Sequence, residues 1–401
     1  MKSGMAEGGK RILLVQYAGD YREAYRRLQA TGTETYYGHR YVLEQLQQLQ
    51  SYGEVAMMCC LSGERYEERL DNGLTVIGAA AHPKRQSAQI KRQIAAWNPT
   101  HLIVLGPLTA LIRWGLDSGC RVMCQMADSF NIHPLLRFVK YGRLPALLND
   151  SRVERVANHG ANACRSLVRI GVEQDKILAW DWPYSRRPDA LPPRVGPPSD
   201  PAMLYVGTIQ RKKGVGDAIR AVAVLRQCGT NVRLRLAGGG AVEEFRALAQ
   251  KLGVADLVDF LGVIPNTQVF DLMRDAALVV VPSLHSYPEG LPLTIYEALC
   301  ARAPIVASDH PMFDGHLVDG QTAAVFRAGD ADALAIKVAA LLADRGLYAR
   351  LSECAQQTWE RMQNPVKWGD ILNHWIADAP VDRQWLHDHR FTAMFPQSPA
   401  A

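Results

Sequence analysis

RILLVQY, EVAMMCC, LTVIGA, HLIVLG and RVMCQM are too short for helices and too continuously apolar for half-exposed strands, and helix-period segments such as Val42, Leu46, Leu49 lie between them. Strands that are apolar on both faces need helices over both faces, so this half reads as a parallel, doubly wound sheet. Between Pro183 and Pro201 the alternation stops, because PYSRRPDALPPRVGPPSDP is dense in proline and has no apolar period. It resumes with AMLYVG, VRLRLAGGG, VDFLGV, ALVVVP, APIVAS and TAAVF, which read as a second unit of the same kind. The expected division is 1–190, a proline-rich linker at 191–201, 202–365, and closing helices at 366–401. Trp368, Trp375 and Trp385 suit those helices for packing across the domain boundary.

The fold class is therefore α/β with two Rossmann-like domains, and 401 residues at 48% hydrophobic content suffice for two cores. A net charge of +5, from 45 basic and 40 acidic residues, is too small and too dispersed for a nucleic-acid partner. No apolar run reaches the roughly 18 residues of a transmembrane helix. The start MKSGMAEGGKRILLV lacks a signal-peptide core, so a cytoplasmic protein is expected. The eight cysteines fit neither a disulfide framework nor a zinc motif and read as reduced core residues.

In doubly wound sheets the ligand crevice lies beyond the carboxyl ends of the strands, which directs attention to two segments. LYVGTIQRKKGVGDAI is a strand, a turn at Gly207 and Thr208, the cations Arg211, Lys212 and Lys213, and a helix start, a combination suited to a phosphate or diphosphate. SLHSYPEGLPLTIYEALC carries Glu289 before Gly290 and Leu291, at a helix start, and Glu297 inside that helix. With the helix starting near Leu291 or Pro292, Glu297 sits about 8–9 Å along its axis at 1.5 Å rise per residue, the span of a ligand gripped at both ends. A cationic turn, a helix N-terminus and two acceptor carboxylates together suit a nucleotide diphosphate sugar. Glu297 would take the ribose hydroxyls and Glu289 the sugar hydroxyls.

This half resembles the catalytic domain of retaining glycosyltransferases of the group 1 class (family 4), which have the GT-B fold of two domains facing across a cleft. The resemblance rests on Glu289-GLPLTIY-Glu297, on the turn from Gly207 to Gly214, on AGGG at Gly238–Gly240, on FLGVI and on DGQTAAVFRAGDADALA. It implies transfer of a sugar, with retention, from a UDP- or GDP-type donor to an acceptor hydroxyl in polysaccharide, glycolipid or other glycoconjugate synthesis. It implies no further cofactor. It also implies a nucleobase near Gly262 and Val263, a close backbone approach to the diphosphate at Gly19, and catalytic contributions from Glu289 and Lys213. Two positions depart from the family pattern. Thr208 stands where the family usually has arginine, which leaves Arg211 or Lys212 to supply the second cation. Ala127 stands where many members have histidine, which makes Asp128 and His133 the candidates of that loop.

The N-terminal half offers DYREAYRRLQATGTETYYGHR as an acceptor loop, with Tyr36, Tyr37, His39 and, from the later loop, His133 as candidates. FNIHPLLRFVKYGRLPALL mixes Arg137, Lys140 and Arg143 with apolar residues and reads either as a domain helix or as a peripheral contact with the inner face of a membrane. Asp330 and Asp332 form an acid-x-acid triplet at a helix start, where acids act as caps, so no metal is expected. The alternatives are a non-catalytic nucleotide-sugar-binding subunit of a larger synthase and a glycoside hydrolase, although a hydrolase would not need the cationic turn. A dinucleotide oxidoreductase lacks its third glycine, since neither GGGAVE nor GVGDAI completes G-x-G-x-x-G.

Overall fold

The structure, a computed structural model, describes residues 9–130 and 141–396. These form two compact units: residues 9–32, 38–130, 141–182 and 364–396 in the first, and residues 33–37 and 183–363 in the second.

The first unit is built on eight strands: β1 (Lys10–Gln16), β2 (Gly53–Cys59), β3 (Tyr66–Arg69), β4 (Thr75–Gly78), β5 (His101–Leu105), β6 (Arg121–Met126), β7 (Val153–His159) and β8 (Ile177–Trp180). Their order is β3-β4-β2-β1-β5-β6-β7-β8, and all pairs are parallel except the β3–β4 hairpin. β1 lies inside the sheet and buries Ile12, Leu13, Leu14 and Val15 completely, which is why its run is apolar at successive positions. β3, YEER, is an edge strand whose residues are exposed or half-buried. The C-terminal residues join this unit through Trp368: its carbonyl accepts from Gln125 Nε2 at 3.2 Å and its N–H donates to the Asp181 carbonyl at 3.1 Å.

The second unit has six strands, all parallel: β9 (Ala202–Val206), β10 (Arg233–Ala237), β11 (Val258–Gly262), β12 (Leu278–Val281), β13 (Ile305–Ser308) and β14 (Ala324–Phe326). The order β11-β10-β9-β12-β13-β14 makes the chain wind one way from β9 to β11 and the other way from β12 to β14. The direction reverses between β9 and β12, so a crevice is expected beyond their carboxyl ends. The proline-rich stretch packs on this unit. Arg194 donates to the carbonyls of Met273 and Ala301 at 2.9 and 3.0 Å, and Arg302 Nε donates to the Pro188 carbonyl at 2.8 Å.

All eight cysteines are free thiols, and Cys59, Cys60, Cys124, Cys164 and Cys300 are buried. Cys228 is exposed and Cys120 and Cys354 are half-buried, so the expectation of core placement fails for these three. Among the described residues no helix is long and apolar enough to cross a membrane.

Candidate functional site

The loops leaving β9 and β12 are fastened to each other by backbone. Gly214 has φ +72°, and a Cβ there would lie 1.9 Å from the Pro282 carbonyl oxygen, so only glycine lets the two loops approach this closely. The Leu284 N–H donates to the Lys212 carbonyl at 2.9 Å and locks the register of that approach. The residue between these two ties is Lys213. Its ammonium donates to Glu289 Oε1 at 2.6 Å and lies 4.3 Å from the centre of the Tyr287 ring. Ser283 Oγ donates to the same carboxylate oxygen at 2.5 Å. Glu289 is only 5% exposed, and both of its side-chain bonds end on Oε1. Gly290 follows it half-buried, and Leu291 is buried.

The helix after this loop spans Leu293–Cys300 with Pro292 as its N-cap, slightly later than the start at Leu291 or Pro292 that the sequence suggests. Glu297 sits within it and has different partners. Asn266 Nδ2, from the start of the helix Asn266–Asp275, donates to Glu297 Oε1 at 2.6 Å. Burial pushes the Glu297 carboxyl up to about 7, with the Glu34 charge adding to the rise and Asn266 and Arg186 opposing it. Tyr296, its neighbour in the helix, stacks on Tyr184 at 3.9 Å, and Tyr184 stacks on Tyr37 at 5.6 Å. At the end of β11, Gly262 has φ +71° and Val263 is 64% exposed, an open apolar ledge.

The sequence of this region now has counterparts. Residues 191–358 match the family described as glycosyl transferases group 1. This segment belongs to the group 1 glycosyltransferases. The chain is 32% identical over 206 residues to a glycogen synthase of Mycobacterium tuberculosis, covering 51% of this chain and 47% of that protein. It is 31% identical over 211 residues to a D-inositol 3-phosphate glycosyltransferase 2 of Catenulispora acidiphila, covering 50% and 48%. It thus spans about half the length of the curated relatives it matches. A sucrose-phosphate synthase from Thermosynechococcus elongatus superposes with TM-score 0.68 at 17% identity, over 92% of this chain and all of that one. Anabaena HepE, solved with UDP-glucose, superposes with TM-score 0.64 at 14% identity, over 92% and 98%. The fold is GT-B, with two Rossmann-like units in one chain.

Other candidates fall in different places. In the group 1 domain, Arg211 is 80% exposed along its side chain and pairs outward with Glu244 at 2.5 Å, and Lys212 is exposed. The Thr208 carbonyl accepts from the Tyr205 hydroxyl at 2.7 Å. Asp330 caps its helix, with Oδ1 accepting from the Ala333 N–H at 2.8 Å, and Asp332 lies in the first turn.

The proposed acceptor cluster is divided. Tyr36 and Tyr37 belong to the second unit, where the Glu34 carbonyl accepts from the Asn266 N–H at 2.8 Å and Tyr37 Oη donates to the Pro183 carbonyl at 2.6 Å. His39 opens a helix of the first unit, and burial holds its imidazole down to about 4. His133, with Arg137 and Lys140, lies outside the described residues.

In the first unit the strand order reverses between β1 and β5. Gly19, with φ +103°, follows β1 and Gly106, with φ +122°, follows β5. Asp128 follows β6 beside Gly106, and burial raises its carboxyl to about 6 against the pull of Lys84. Sequence reasoning missed Asn266 and Glu34 as neighbours of Glu297. It also gave no role to Ser283, although that residue opens the quoted SLHSYPEGLPLTIYEALC segment.

Proposed function

We propose that the chain is a retaining glycosyltransferase that moves a sugar from a nucleotide diphosphate sugar to an acceptor hydroxyl. The observation that carries this reading is the pair of half-buried Lys213 and buried Glu289 at the reversal point of a group 1 sheet, held by the Gly214–Pro282 approach. Glu289 orients the Lys213 ammonium through Oε1 and keeps Oε2 for sugar hydroxyls. As the glycosidic bond opens, negative charge builds on the leaving diphosphate, and a fixed ammonium there stabilises the transition state more than the bound donor. Glu297 takes the ribose hydroxyls, displacing the Asn266 amide or sharing with it, and the nucleobase lies on the ledge at Gly262 and Val263. The leaving phosphate accepts the acceptor's proton, and the diphosphate site works without a divalent metal.

Similarity to a structure solved with UDP-glucose favours UDP-sugars as the first donors to test. The test is incubation of the protein with UDP- and GDP-sugars and a panel of hydroxyl acceptors. Released nucleotide is measured with and without EDTA, and the anomeric configuration of the product is read by NMR. Retained configuration and EDTA-resistant turnover are expected. Nucleotide binding without turnover would replace this reading with that of a non-catalytic subunit.

A further inference from the structure

The ladder between β12 and β13 ends at Val281 and Ala307, and beyond it two side chains from the end of β13, each 1% exposed, take over the pairing. Ser308 Oγ donates to the Ser283 carbonyl at 2.7 Å, and His310 Nε2 donates to the Tyr287 carbonyl at 3.1 Å. Both targets belong to the loop that carries Glu289. Ser283 is the hydroxyl donor to Glu289 Oε1, and the Tyr287 ring faces the Lys213 ammonium. The Tyr287 carbonyl also accepts from the Glu289 N–H at 2.9 Å, so His310 reaches the same oxygen that sets the backbone of the acid.

The partners of His310 fix which ring nitrogen carries the hydrogen. The Met312 N–H can only donate, and it meets Nδ1 at 3.2 Å, so Nδ1 is the bare nitrogen. Nε2 then carries the hydrogen, and the Tyr287 carbonyl can only accept it. Burial holds the imidazole below its ordinary range, with His285 and Lys213 adding to the fall and the Tyr287 carbonyl and the Glu289 charge opposing it, so the ring is neutral at neutral pH. Phe313, tilted against it at 5.1 Å, and His285, edge-on at 6.0 Å, hold its plane. The ring is a strut with two distinct ends: Nδ1 ties it to its own turn, and Nε2 ties it to the neighbouring loop.

We infer that His310 is a positioning residue for sugar transfer: its Nε2–H, with the Ser308 hydroxyl beside it, clamps loop 283–289 to the end of β13, so that Tyr287 and Glu289 hold the Lys213 ammonium in one place. This role rests on the transfer proposed above. A displacement of about 1 Å in a group that meets the transition state can cost on the order of a hundredfold in rate, which gives a contact two residues removed from the reacting atoms its leverage.

The test compares His310→Asn with His310→Gln in the whole chain, because each substitution keeps one end of the strut. Asparagine leaves an acceptor at the Nδ1 position for the Met312 N–H but is too short for the Tyr287 carbonyl, whereas glutamine carries an amide donor out to the position of Nε2. Amide hydrogen exchange of residues 284–290 is measured without any ligand, and turnover is measured with the UDP- or GDP-sugar and acceptor that the wild type uses. In His310→Asn, exchange is expected to quicken about tenfold and turnover at saturating donor to fall about tenfold to a hundredfold, with the donor's Michaelis constant changed less than about threefold. His310→Gln is expected to keep most of the wild-type exchange and turnover. Wild-type behaviour in His310→Asn overturns the inference, and so does a His310→Gln variant as impaired as His310→Asn, since the turn rather than the clamp would then matter. Should His310→Asn fail to fold, His310→Gln decides: wild-type exchange and turnover uphold the clamp, and loss of either overturns it. A wild type that turns over none of the donors defeats the transfer reading and this role with it, whereas a wild type that does, beside an unaffected His310→Asn, defeats this role alone.

Discussion

The two acids of the group 1 segment stand eight positions apart and live in different electrostatic surroundings. Glu289 is buried beside an ammonium and a hydroxyl, so its charge is matched within the fold. Glu297 is buried with the neutral Asn266 amide as its hydrogen-bond partner, and the Arg186 charge is opposed by a second carboxylate, Glu34, so its charge is matched only in part. Burial alone therefore does not set the behaviour of a carboxylate; the partner does. The first acid is built to hold a cation in place. In the function proposed, the second takes donors that arrive with a ligand.

The sharpest way to break this contrast is at the first acid. Lys213→Ala should leave Glu289 buried without its cation. Turnover is expected to fall on the order of a hundredfold to a thousandfold, as when one oxyanion donor is lost, and stability by about 3 kcal/mol. Single-turnover kinetics at saturating donor together with chemical denaturation check both. A change confined to the Michaelis constant would remove Lys213 from the transition state.

A smaller effect is expected at the second acid. Glu297→Ala should weaken the bare nucleotide diphosphate by roughly 1.5–3 kcal/mol through lost charged hydrogen bonds, while leaving the Lys213–Glu289 pair intact. Calorimetry with the nucleotide alone reads this, and equal affinity in the variant would mean that the ribose lies elsewhere.

The contrast also has a pH signature. Glu297 titrates at about 7 in the folded chain and near its ordinary 4.5 when unfolded. Hydroxyl donors prefer the ionised form, so nucleotide affinity should rise about tenfold between pH 6 and 8 and become flat in Glu297→Gln. Stability runs the opposite way. Folding takes up a proton between the two values, so the contribution of Glu297 is complete below about 4.5 and is lost as pH rises through about 7. Asp128, raised to about 6, acts in the same direction, and the Glu297→Gln difference separates the two. Melting curves across this range that are superimposable for wild type and Glu297→Gln would remove the unmatched charge from the argument.

The least effect is expected from Arg211→Ala. Its partner Glu244 and its side chain are largely exposed, so stability and donor affinity should each change by less than about 1 kcal/mol. A larger loss of donor affinity would show that Arg211 leaves Glu244 for the diphosphate.

Most of the strand order's ingredients were legible because buried parallel strands must be continuously apolar, as in β1 and β12. β3 was not, because YEER is a polar edge strand that pairs with β4 through its backbone. Glu289 and Lys213 could be linked from sequence because each sits where a strand ends, beside a glycine. The environment of Glu297 could not. Asn266 is 31 residues away and Glu34 arrives from the N-terminal part of the chain, and no local period encodes either meeting. The partner of Arg211 was not legible for the same reason, since Glu244 faces it from the helix Val242–Lys251, 33 residues on.

The first unit is interrupted in sequence: residues 183–363 belong to the second, and residues 364–396 return to the first. A ribosome therefore finishes the second unit while the first still lacks Trp368 and Trp375, the indole partner of Glu154. The earlier-synthesised unit matures later, and until its last helices emerge, the surface that they cover stays exposed to other nascent chains. Slow translation of the codons for residues 364–396 would prolong that interval, which makes that stretch of the message a control point for the yield of native protein.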